Sequence, residues 1–262
     1  MTHPTTGIRT SSTSDTATAT ASSAPTTAKA ASSGSAHRHP TPRTAGARLD
    51  VRRPWYACAT DNHDDRFDWI VEEEGLHPVL TLVEGVAEDE VIRRFGGDPG
   101  NARLLVADEI YRLQPGCPDH RGHLGVGTVG EAVFALEVVG STGAVPGVAR
   151  DLSRGGRCFG LSLGINGDDF VHYAVAGELV VHEEPRGPVM PLREGDARWN
   201  PAWCTGLIDV EDPTEFWGPK LYLLAERVMG ATIEPSWFSR PLRTAEIPCS
   251  EILMNTPAWD IP

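Results

Sequence analysis

Four potential metal or proton-transfer groups lie within seven residues at Cys117-Pro-Asp-His-Arg-Gly-His123. Zinc takes thiolate and imidazole ligands at short spacing, so Cys117, His120 and His123 are the candidate metal ligands, with His172 or His182 able to complete a set in space. The same Cys–His proximity would serve a nucleophilic thiol, making Cys117, His120 and His123 also the candidate catalytic residues. Against both stands the plainer and preferred reading, a polar loop between a helix and a sheet. His182-Glu183-Glu184 is a second cluster, and charges guarding an edge strand explain it equally well.

Two glycine patterns resemble reactive motifs and fail on context. Gly125, Gly127 and Gly130 spell G-x-G-x-x-G, which needs a buried strand leading in and a helix leading out. Here a Cys/Pro/His loop leads in, and Asp151, at the distance of a ribose-binding acid, has no apolar strand to carry it. The glycines therefore read as part of a strand pair connected at Gly130-Glu131, and no cofactor is expected. Gly160-Leu-Ser162-Leu-Gly164 spells a nucleophile elbow, but it runs on towards an Asn166-Gly167 hairpin turn, so Ser162 reads as a strand serine.

Trp199-Asn-Pro-Ala-Trp203 sets two indoles in one loop. Exposed, Trp199 and Trp203 would anchor a partner; folded back, they would cover one end of the sheet, the slightly favoured alternative.

The elements that must position these residues come in a definite order. DNHDDRFDWIVEEEG predicts a first helix and HPVLTLVEG a short strand or extended segment. AEDEVIRRFGG predicts a helix with acids at its start, arginines near its end and glycines to stop it. NARLLVADEIYRL predicts a third helix by the spacing of Leu104, Leu105, Ala107 and Ile110. HLGVGTV, AVFALEVV, RCFGLSLGI, FVHYAVA and ELVVHEE then follow too closely for crossover helices, which predicts antiparallel pairing. LYLLAERVMG carries Leu221, Leu224, Ala225 and Val228 at helical spacing, and Pro235 opens a last short helix. The expected fold is α+β: a mostly antiparallel sheet of five to six strands with N-terminal and C-terminal helices packed on it.

Composition bounds the partners. The chain has 262 residues, and the first 53 are Ser, Thr, Ala and Pro with few large apolar groups, a disordered tail by composition. Its Arg-bearing, acid-poor character also suits a targeting segment, and Val51 an alternative start. Residues 54–262 are expected to form one domain. The tail holds seven Lys or Arg and two Asp or Glu, leaving 16 basic and 34 acidic residues in the remainder, a formal charge of −18. Such a body repels nucleic acid and anionic membranes; it suits a basic protein partner or, the plainer and preferred reading, simply keeps the domain soluble. Five scattered cysteines without a C-x-x-C pair predict reduced thiols, and with no long apolar run they predict a cytoplasmic location.

The motif order resembles an uncharacterised family of actinomycete proteins, a domain of unknown function. The resemblance covers about residues 64–238. It rests on Phe67-Asp-Trp69, Leu82-Val-Glu-Gly85, Glu90-Val-Ile-Arg-Arg-Phe-Gly-Gly97, Gly127-Thr-Val-Gly-Glu131, Glu137 with Gly140, Leu152-Ser-Arg-Gly155, Ala176-Gly-Glu-Leu179 and Leu224-Ala-Glu-Arg-Val-Met-Gly230. It departs at Ala132 and around Trp199. It implies that residues 133–138 form a strand, and it carries over no catalytic residue. The functional expectation is an acidic, non-enzymatic binding protein, an immunity-type or defence-type partner of a basic protein. The alternative is a small enzyme of specialised metabolism using the Cys117–His123 loop.

Overall fold

A computed structural model describes Phe67 and residues 78–113, 121–164, 169–185, 189–207, 218–253 and 256–260. Its framework is one open sheet of eight strands: β1 (Val79–Glu84), β2 (Arg103–Leu105), β3 (Arg121–Val129), β4 (Ala132–Glu137), β5 (Arg157–Ser162), β6 (Phe170–Val175), β7 (Glu178–Glu183) and β8 (Leu242–Pro248). They lie in the order β2-β8-β3-β4-β1-β5-β6-β7, and every pairing is antiparallel.

The expected count of five to six strands is too low, for two reasons. Residues 103–105 form β2, not the start of a helix: they hydrogen-bond with β8, and only Ala107–Arg112 is helical. β8 itself alternates Leu242, Thr244 and Glu246 with Arg243, Ala245 and Ile247, and its charges and closing Pro248 mask the strand in the sequence. Nor do the helices gather at the two ends. Those described are α1 (Glu88–Arg94), α2 (Ala107–Arg112), α3 (Pro146–Leu152), α4 (Gly218–Met229), α5 (Ser236–Ser239) and α6 (Ser250–Leu253), several of them between strands. The helix expected over residues 61–75 lies outside the described residues except for Phe67, as does the Asn166-Gly167 turn.

The sheet is buried on both faces, so its central strands read as continuous apolar runs. One face packs Leu80, Leu82, Phe134, Leu136, Phe159 and Tyr173 against α4, with Trp237 stacked on Phe134 at 4.2 Å. The other packs Val83, Val126, Val133 and Cys158 against Val91 and Ile92 of α1 and Val148 and Leu152 of α3. Arg94 ties the two covering helices together, donating to the carbonyls of Asp151 at 2.8 Å and Leu152 at 3.2 Å.

The G-x-G-x-x-G pattern is a packing device. A Cβ at Gly127 would come within 2.7 Å of the Phe134 ring, and one at Gly125 within 2.8 Å of Leu242. Gly130, at φ +57, turns β3 into β4. The β6–β7 hairpin closes on Ala176 (φ +52) and Gly177 (φ +86), both left-handed as a type I′ turn demands. Alanine is strained there by about 1 kcal/mol, whereas asparagine tolerates the region. Ala176→Asn is expected to raise stability by about 0.5–1 kcal/mol, or about 2 °C in thermal melting. Gly127→Ala is expected to lower it by about 1–3 kcal/mol, because the methyl displaces a stacked ring. Parallel melts of the two variants check both signs.

Candidate functional site

The chemistry-bearing side chains the sheet brings together form a row across its α1/α3 face. In register, Glu137 opposes Val79, Thr81 opposes Ala135 and Gly160, Gly160 opposes His172, and His172 opposes His182. Glu137, Thr81 and His172 are buried. The His172 ring lies on Gly160, where a Cβ would fall 2.2 Å from its Cε1.

Glu137 has defined partners. Its Oε2 accepts from the Thr142 N–H at 2.9 Å and its Oε1 from the Gly143 N–H at 2.6 Å, which holds the tight turn Thr142–Ala144 against the sheet. Burial pushes its carboxyl up to about 7, and these two N–H groups limit the rise. A Cβ at Gly143 would lie 2.8 Å from Thr81 Oγ1 and 3.0 Å from Glu137 Oε1, so only glycine lets the turn come this close.

The histidines are less well served. His172 Nε2 lies 3.7 Å from the Cys158 thiol, and Nδ1 of His172, Nδ1 of His182 and Oγ1 of Thr81 are buried without hydrogen-bond partners. Burial and then the neighbouring His182 take His172 down to about 3, while burial raises the Cys158 thiol well above its ordinary value. Burial and then Arg150 lower His182. Thiol and imidazole are thus both held neutral. A nucleophilic thiol needs the reverse, a thiolate beside an imidazolium.

The residues singled out in the sequence are scattered. Cys117 and His120 lie outside the described residues. His123 is half-buried on β3 opposite Glu246, on the opposite face from the polar row; burial lowers its pKa and Glu246 partly offsets this. Among the described residues, no group of three or more His, Cys, Asp or Glu is arranged to hold a metal ion. Ser162 closes β5, paired with Val79 and Phe170. His182 and Glu183 belong to β7, which is an edge strand. Asp151 lies in α3 and pairs with Arg154 at 2.6 Å.

The two indoles have different fates. Trp199 is buried against Tyr173 at 6.0 Å, its Nε1 without an acceptor. Trp203 is half-buried, edge-on to both Trp199 at 5.3 Å and Tyr173 at 5.9 Å. Arg157, which salt-bridges Glu84 through two bonds of 2.8 Å, also bonds Tyr173. The loop therefore folds back over the sheet, and only Trp203 keeps a surface.

Residues 63–201 match the model of a family of unknown function, DUF6461, which is more than half of the chain. The chain belongs to this family. The DUF6461 match takes in β1 to β7, Glu137, Cys158, His172 and Trp199, and stops before Trp203, α4 and β8. It is shorter at its C-terminal end than the resemblance in the sequence implied. No curated protein and no solved structure matches the chain.

In the sequence Glu137 stands only as a family marker; the clue to its role is an acid in an apolar strand followed by Gly140 and Thr142-Gly143. Nothing local in the sequence singles out Thr81 and Cys158, whose partners come from other strands. Glu137→Ala strands two buried N–H groups, and a loss of about 2–5 kcal/mol is expected in urea unfolding. His172 binds its proton only near pH 3 when folded but near 6.5 when unfolded. Its contribution to stability is complete above pH 6.5 and is lost as pH falls from there towards 3. Between pH 6 and 4, wild type should lose about 1.4 kcal/mol per pH unit relative to His172→Gln. Parallel slopes for the two proteins would show that His172 accepts its proton in the fold.

Proposed function

We propose that the chain is a non-enzymatic binding protein whose acidic surface takes a basic protein partner. The role fits an immunity or defence protein of an actinomycete, acting in the cytoplasm. The observation that carries the proposal is how the cations are used. Arg93, Arg94, Arg112, Arg121, Arg154, Arg157, Arg198 and Arg243 pair with carboxylates of the same chain. Arg150, Arg227 and Arg240 donate to backbone carbonyls. With so many guanidinium groups turned onto the protein itself, the −18 charge of residues 54–262 is left to carboxylates such as Glu131 at the β3–β4 turn and the exposed Glu194. Each surface pair adds little stability, so the pattern bears on the outside potential more than on the fold.

A field of one sign steers an oppositely charged protein and is screened by salt. The immobilised full chain should capture basic proteins from its host's lysate at low salt and release them at about 1 M salt, where the screening length is about 3 Å. Capture of nothing above background, or capture indifferent to salt, would sink the reading. Among the described residues no helix is long and apolar enough to cross a membrane.

A further inference from the structure

β7 closes one edge of the sheet, and a short strap runs beside it. The Leu192 N–H donates to the Val180 carbonyl at 2.8 Å, and the Met190 N–H donates to Glu183 Oε1 at 2.9 Å. Val189 turns inward and is buried in the larger core. Met190 and Leu192 turn outward, 56% and 44% exposed. Two large apolar groups side by side in water next to a sheet edge make a patch that apolar side chains of a partner would cover.

Trp203 belongs to the same corner. The Cys204 thiol lies 4.0 Å from the Val189 carbonyl, which brings the turn Pro201–Cys204 against the root of the strap. Trp199 and Tyr173 hold the Trp203 ring edge-on, and Arg227 donates to the Trp203 carbonyl at 2.8 Å, so the half-buried indole is fixed in position. The charges around this apolar centre are mainly carboxylates: Glu183 and Glu184 at the end of β7, and Glu194 just past the strap. Three cations stand nearby, and one of them, Arg227, is engaged by the Trp203 and Thr205 carbonyls at 2.8 Å each. Arg198 is neutralised by Asp196 and Glu178 at 2.7 Å each, which leaves the exposed Arg193.

We propose that Met190, Leu192 and Trp203 form the docking surface for a Lys-bearing or Arg-bearing apolar segment of the partner protein. The proposal rests on the reading that the partner is basic, and it names where that partner lands. Apolar side chains of the segment would remove Met190 and Leu192 from water. A cation of the segment would lie on the indole face of Trp203, with Glu183 and Glu194 within the same acidic rim. Glu183 already carries part of the desolvation cost: burial raises its pKa while the Met190 N–H lowers it, so an arriving cation recovers a stabilisation that water no longer supplies.

Two probes separate this surface from general acidity: a short peptide alternating Lys and Leu, and oligolysine of the same length. They are titrated into the full chain carrying ¹³C-methyl methionine. The Lys/Leu peptide should shift the Met190 methyl and quench tryptophan fluorescence. The double variant Met190→Asp, Leu192→Asp should weaken that peptide about tenfold or more and leave oligolysine binding equal or tighter. Both residues are exposed, so an unchanged thermal melt confirms that the variant is folded. If the peptide binds but leaves the Met190 methyl unmoved, or binds the variant as tightly as wild type, the docking surface is wrong and the basic-partner reading stands. If neither basic probe binds at low salt, both fail.

Discussion

The fold depends on a carboxylate kept away from water. Glu137 ends the fourth strand with its side chain pointing into the protein, and the chain bends back so that Thr142 and Gly143 can donate to it. That bend delivers Val145 and Pro146 to the sheet and starts α3, which then lies over β5, β6 and β7. Without the carboxylate the turn would leave two N–H groups buried and unpaired. Without Gly143 the turn could not approach Thr81. The covering of β5, β6 and β7 by α3 thus follows from one acid and one missing side chain.

Burial on both faces also sets what the protein can do chemically. The row of Glu137, Thr81, His172 and Cys158 has the residue types of an active site, but lies between the sheet and its covering elements with the imidazole and thiol neutral. Low dielectric is what makes such groups reactive in a cleft that admits a substrate; without access, the same shift only stabilises the uncharged forms. The outward surface has the opposite character, acidic and with its arginines drawn onto the chain's own groups.

Local signals were legible in the sequence and non-local ones were not. Helix α1 is readable because acids, arginines and Gly96 mark both of its ends within ten residues. Helix α4 showed its stripe of Leu221, Leu224, Ala225 and Val228. β2 reads as helix because Leu104 and Leu105 fit a helical stripe, and only the distant β8 supplies the hydrogen bonds that make them a strand. β1 was read as a strand, but its place at the centre of the sheet between β4 and β5 could not be, because strand order is set by which apolar faces meet. Trp199 and Trp203 looked alike in the sequence, and only the position of Tyr173 separates a buried wall from a surface ring.

Glu137 is a buried structural acid, and its carboxyl carbon reports this directly. In a ¹³C-glutamate-labelled full chain, assigned through Glu137→Gln, that carbon should titrate with a midpoint near 7, clear of the other glutamates. A midpoint near 4.5, together with an unaltered shift on unfolding, would mean that the carboxyl is hydrated and the turn over it is held by something else.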